Sequence, residues 1–526
     1  MAGAVSARRM SLGAVVALLV LVVVSVLQWQ QRPVPRAPVP PAGLTGAVGP
    51  VPRSCSGVSI TTADDVQQAI DAHPPGTTFC LAAGTYRLES PVVPRDGDVL
   101  IGLQGATLSG SKPLTGWRRS GDVWSTTGFL PRAPSDAGEC LDDAPTCTDA
   151  EDVFLDKQRL RRVTSLSQVT PGSVYADYGS NTLTIGDDPG AHLVEQAVAE
   201  SLIRSTADDV TVANLVVEHA ANPAQVGAIE SRQILPYVAG VAGSGWRLLN
   251  NEVRLNHGVG VGVGSAATVT GNVIHHQGQL GFGAWGSDSS ITDNEIAYNG
   301  EAGYSAEWEA GGGKSWMTEN QTVAHNYVHD NMGPGLWSDG GNMDTVYEFN
   351  RVADNWHAGI QYEISYDAVI RYNDIIGNGR VHKGWAWDAG IQIQSSGGIR
   401  SIEIAQNTVT GNANGISLID SGNRELEEPA PHGPHVVRNV RVHDNTVTLY
   451  RGQMTGAVED TGNPGIFAAN GNRFDNNTYF LSSLTEPQFR WAGSELDWSR
   501  WQTAWGRDLN GQAELVEDPR PRSSGG

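Results

Sequence analysis

Three observations predict an all-β chain, a right-handed parallel β-helix solenoid with a small β insertion and an N-terminal cap helix. First, asparagines recur at Asn251, Asn272 and Asn294, then at Asn326, Asn350 and Asn373, each beside short β-branched runs. Their spacings of 21, 22, 24 and 23 residues are those of repeated structural units. Second, seven short runs begin at a glycine: Gly258, Gly281, Gly303, Gly335, Gly359, Gly390 and Gly415. After each glycine the first and third positions are largely apolar, as in Ile360/Tyr362 and Ile391/Ile393. That period of two belongs to strands with one buried face. Third, no helical pattern separates the runs, so each period folds as a coil of short strands rather than as a strand and a helix.

The elements follow in order. Residues 1–9 read as a positively charged leader and Met10–Leu27 as a signal anchor; eighteen apolar residues are near the minimum for a span. A cleaved signal peptide is the alternative. Residues 28–54 form a Pro-rich spacer. Residues 55–112 hold the first coils and a cap. Within them Ala63–Ala72 is a short amphipathic helix with Val66, Ala69 and Ile70 on one face. Residues 113–198 break the rhythm with Gly, Asp and Pro punctuation and read as a β insertion of hairpins. The main helix runs over 199–483, and the Trp-rich stretch 484–526 is the C-terminal cap and tail.

Cysteine and charge place the chain outside the cytoplasm. The expected pairs are Cys55–Cys80 across the cap and Cys140–Cys147 across a tight loop. A zinc site lacks a CxxC pair or a close histidine, so no metal residue is assigned. The formal charge of −22 excludes nucleic acid and anionic membrane surfaces as partners. It also disfavours polyanionic substrates, unless calcium bridges them. The expected state is a monomer on the extracellular side of the membrane, touching it only through the anchor, or secreted.

The fourth position after each glycine faces outward. That column reads Gly262, Trp285, Glu307, Asp339, Glu363, Gln394 and Ile419. Three acids in consecutive coils are costly without cations or protons. Adjacent coils stack about 4.8 Å apart, so Asp339 and Glu363 should hold their carboxyls roughly 5 Å apart, the separation of a retaining glycosidase pair. Such proximity splits two like pKa values and supplies an acid and a nucleophile. Trp285 and Trp337 share the outer face and suit sugar C–H surfaces; Trp308 lies on the neighbouring loop. His357, at the mouth of the Glu363 strand, is a candidate substrate contact, with Gln361 and Gln394 beside the acids. Calcium is a possible ligand of stacked carboxylates. The expected activity is retaining glycoside hydrolysis of an oligo- or polysaccharide, a neutral plant-type or cell-surface glycan. The alternatives are a calcium-dependent polysaccharide lyase or epimerase and a non-catalytic glycan-binding β-helix.

The segment Gly335-Leu-Trp-Ser-Asp339, followed one coil later by Gly359-Ile-Gln-Tyr-Glu363-Ile-Ser, resembles the active-site region of the β-helix β-xylosidase family of glycoside hydrolases. The whole layout resembles exported pectin-lyase-like carbohydrate-active proteins. The resemblance implies that Asp339 is the nucleophile and Glu363 the acid/base. Gly340–Met343 departs from the family pattern, which has an aromatic beside the nucleophile.

Overall fold

The computed structural model describes residues 52–133, 137–232, 242–381, 384–422 and 432–518. The leader, Met10–Leu27 and the Pro-rich stretch as far as Val51 lie outside the described residues. Among the described residues no helix is long and apolar enough to cross a membrane.

Three long parallel sheets make the solenoid. Among the described residues sheet 1 has 13 strands, from Val58–Ile60 to Arg473–Asp475. Sheet 2 has 13, from Gly84–Arg87 to Gln512–Leu515, and sheet 3 has 12, from Ile203–Arg204 to Ser494–Leu496. Each coil visits the sheets in turn, as in Thr345–Glu348, Arg351–Ala353 and Ile360–Glu363. One continuous apolar core fills the interior, from Ile60 through Val352, Ile375 and Ile404 to Trp501. Non-polar burial along one axis supplies the main stabilisation, and each coil depends on its neighbours.

Two asparagine ladders close the turns. The first is the predicted column. Asn272 donates from Nδ2 to Asn294 Oδ1 at 2.9 Å and to the Leu248 carbonyl at 2.8 Å, while Asn251 N–H donates to Asn272 Oδ1. The pattern repeats through Asn326, Asn350, Asn373, Asn407, Asn445 and Asn477. A primary amide suits this place because it offers an acceptor and two donors in one plane. The last rung is Asp508, whose Oδ1 accepts from Asn477 and whose Oδ2 accepts from Tyr479 and Trp501. A second ladder, Asn256–Gln277–Asn299–Asn331–Asn355–Asn378–Asn412, runs between sheets 2 and 3.

The ends are capped. Asp65 caps the helix Val66–Asp71 by accepting from Gln68 N–H, and Val66 and Ile70 enter the core. At the other end Trp491 and Trp501 are fully buried, and parallel pairing runs past Ser483 to Gln512–Leu515. Cys55–Cys80 and Cys140–Cys147 are both disulfide-bonded, as the spacing predicts. The chain from Ser111 to Ala197 makes two small sheets with their own core of Leu114, Val153, Val174, Leu183 and Val194.

The strand register corrects the glycine column at two places. Val261 pairs with Phe282, so Gly260 rather than Gly258 matches Gly281. Leu280 pairs with Gly311, so Gly312 rather than Gly303 is the next member. The segment Tyr304–Glu309 has the alternation of a strand but is a loop. Tyr304 is buried not in the solenoid but against Cys140 and Cys147 of the insertion. The fourth-position column is therefore Gly264, Trp285, Trp316, Asp339, Glu363, Gln394 and Ile419. Glu307 stands outside it.

Candidate active site

Asp339 and Glu363 end adjacent strands of sheet 3, Leu336–Asp339 and Ile360–Glu363, and are direct cross-strand partners. Gln394 is the partner of Glu363 on the other side. Inward neighbours fix these strands: Leu336, Ile360, Tyr362 and Ile391 are all fully buried. One coil apart, the two carboxyl-bearing residues have the roughly 4.8 Å strand spacing between them.

Their surroundings differ. Glu363 is fully buried. Its Oε2 accepts from Gln361 Nε2 at 2.7 Å and from Trp337 Nε1 at 3.2 Å. Both of these donors are neutral. Asp339 keeps 20% side-chain exposure and takes a cation: its Oδ2 lies 2.8 Å from Lys314 Nζ. Lys314 is itself 3.6 Å from Glu309 and stands 4.3 Å from the centre of the Trp337 ring. Burial opposes its charge. Glu309 and then Asp339 outweigh that, holding the ammonium well above the ordinary lysine range. Glu309 is the residue that sequence reasoning missed, and Lys314 was read, with Arg371, Arg380 and Lys383, only as a loop candidate for the base of a lyase. With the register displaced to Gly303, Lys314 fell on a loop. In the structure it lies in the strand Gly311–Glu319 and pairs with Trp337. The triplet Gly311-Gly312-Gly313 before an alternating Lys-Ser-Trp-Met was the available signal.

A cavity of about 310 Å³ is walled by Glu363 but not by Asp339. It is lined by Glu307, Trp337, His357, Gln361, Glu363, Trp387, Asp388, Gln392 and Gln394, among others. Its size is at the small end of ligand sites. Glu307 thus reaches the site from the loop above it rather than from the sheet. His357 Nδ1 is 2.8 Å from Asp388 Oδ1, which fixes the ring at the cavity wall. Trp285 is not a lining residue. It is 6% exposed, tilted against Trp316 with ring centres 6.2 Å apart, and has the Arg232 guanidinium 5.9 Å from its ring. Trp316 of the next strand and Arg232 thus pack on that end of the column. Trp308 packs on Tyr304, 6.0 Å between ring centres, and shares the small cluster of Cys140 and Cys147. Among the described residues no group of three or more His, Cys, Asp or Glu side chains is arranged to hold a metal ion.

Comparison with known proteins bears on the fold. Residues 237–398 and 342–428 match the right-handed β-helix region family. No curated protein matches. Among solved structures, the complex of XylC with xylose matches 76% of this chain and 83% of that one, at 17% identity and a TM-score of 0.55. A glycoside hydrolase matches at 11% identity and 0.41, over 76% and 89% of the two chains. The A-module of the Azotobacter vinelandii mannuronan C-5 epimerase AlgE6 matches at 14% and 0.43, over 87% and 95%. The chain has the fold of a right-handed parallel β-helix.

Proposed function

We propose that this protein is an exported retaining glycoside hydrolase acting on a neutral glycan. The observation that carries the reading is the cross-strand pair Asp339–Glu363, with Lys314 on Asp339, and Gln361 and Trp337 donating to Glu363 in the wall of a cavity. Asp339 attacks the anomeric carbon. Glu363 gives its proton to the departing oxygen and then takes one from water. Lys314 holds the attacking carboxylate in place, and Trp337 offers an apolar face beside it. The two disulfides support the exported location.

Two observations favour this over a lyase or epimerase. A lyase base must be neutral to take a proton, and Lys314 is held protonated by two carboxylates. Among the described residues the cavity lining also carries Glu307, Glu363 and Asp388 with His357 as its one basic side chain, a poor match for a uronate chain. The likeness to a xylose complex makes β-xylosides the first compounds to try.

The test is turnover of 4-nitrophenyl glycosides, starting with the β-xyloside, with calcium and with chelator. Asp339→Asn should abolish turnover with the fold intact, and azide should rescue Asp339→Gly and yield the inverted glycosyl azide. Unsaturated products absorbing in the ultraviolet, or full activity in Asp339→Asn, would refute the reading.

A further inference from the structure

The cavity has a direction. Along sheet 3 the order is Lys314, Asp339, Glu363, Gln394, one coil after another. If Asp339 attacks and Glu363 protonates the departing oxygen, the bond that breaks points from Asp339 toward Glu363. The leaving group must then lie over the next coil, residues 384–394. This step rests on the glycosidase reading above.

That coil is built as a binding surface. Trp387 lines the cavity yet keeps 37% exposure, one of the few large apolar side chains left open. Its position is set from the following coil: Asn414, itself buried, donates from Nδ2 to the Trp387 carbonyl at 2.8 Å and to the Gly384 carbonyl at 3.1 Å. Beneath it runs a chain of oriented amides. Asp388 N–H donates to Gln392 Oε1 at 3.1 Å, which fixes that amide, because a backbone N–H can only donate. Gln392 Nε2 then donates to Gln394 Oε1 at 3.3 Å. Gln394 is left with its Nε2 donor, which is buried at the cavity wall and has no partner among the described residues. A buried donor without an acceptor is costly, and a ligand oxygen removes that cost.

We infer that residues 384–394 form the leaving-group subsite, in which a sugar ring stacks on Trp387 and an oxygen of that ring accepts from Gln394. The leaving group is thereby a second sugar, and the preferred substrates are oligosaccharides rather than glycosides of small alcohols.

The experiment compares disaccharides with glycosyl fluorides, whose departing fluoride has no ring to stack. The matched pairs are xylobiose with β-xylosyl fluoride and cellobiose with β-glucosyl fluoride. Trp387→Ala and Gln394→Met should each lower kcat/KM for the disaccharide about tenfold relative to the fluoride. Glu309→Gln, on the far side of Asp339, should lower both alike. An unchanged ratio in Trp387→Ala and Gln394→Met, or a ratio that moves only in Glu309→Gln, overturns the assignment. If the wild-type protein hydrolyses none of the four compounds, the glycosidase reading fails, and calorimetric binding of the two disaccharides decides the subsite by itself. Weaker binding in Trp387→Ala supports it; equal binding, or none to the wild type, overturns it.

Discussion

Replacing Lys314 by Met removes the one cation placed between Glu309 and Asp339. The lysine side chain is 11% exposed, its partners 13% and 20%. Breaking a buried ion pair from one side costs about 3–5 kcal/mol, because the remaining charge is stranded. Asp339 keeps some solvent, so the lower end, about 3 kcal/mol, is expected here. The same change withdraws the charge that holds Asp339, the proposed nucleophile, and kcat/KM should fall about 10²–10³-fold, the usual size for a lost electrostatic contact in an active site. Denaturant midpoints and aryl-glycoside kinetics measure both. The stability part has an internal check. In Lys314→Met/Asp339→Asn no charge is stranded at Asp339, so at least 1 kcal/mol of the loss should return, a coupling of ordinary size for contacting residues. If the double variant is less stable than Lys314→Met, or if Lys314→Met keeps both its midpoint and its kcat, the ion pair does not organise the site.

Glu363→Gln keeps an acceptor for Trp337 but has no proton to give. It should slow substrates with poor leaving groups by about 10²–10⁴-fold and activated aryl glycosides far less, a difference read from a series of leaving-group pKa values. His219 gives a pH dependence remote from the site. It is fully buried, stacked 3.9 Å from Phe154 of the insertion, and burial lowers its pKa from 6.5 to about 4 against the pull of Glu218 and Glu195. Between those values the unfolded chain binds the proton and the folded one does not, so stability should fall as pH drops from 6.5 to about 4, by up to about 3 kcal/mol in all. His219→Gln should flatten that part of the denaturation-midpoint profile; an unchanged slope would show that other groups carry it.

The solenoid was legible in the sequence because its core repeats. Gly335, Gly359, Gly390 and Gly415 head strands that pair in the register that alternation implies. The first asparagine ladder was legible for the same reason, since each rung repeats one hydrogen-bond pattern. The error at Gly303 has a physical source. Tyr304 and Ala306 alternate like a strand because they are partly or fully buried, but they meet the disulfide loop of the insertion rather than the coil below. Periodicity reports burial and not what a side chain is buried against. That displacement hid Glu309 and left Lys314 on a loop, and Trp285 was read as open because alternation does not show that Trp316 and Arg232 pack on its outer face. The second ladder escaped notice because Gln277 replaces Asn at one rung.

The backbone pairing of Asp339 with Glu363 makes the distance between functional groups a property of the sheet rather than of loops. Any two groups in one column of this face are separated by whole numbers of coils, so their spacing is quantised in steps of about 4.8 Å. Moving the acid by one step, with Gln394→Glu and Glu363→Gln together, would set the carboxyls near 9.6 Å, at the wide end of the inverting range of roughly 6.5–9.5 Å. Stereochemical outcome in such a scaffold is then counted in rungs, and a single insertion or loss of a coil between two acids is enough to change it.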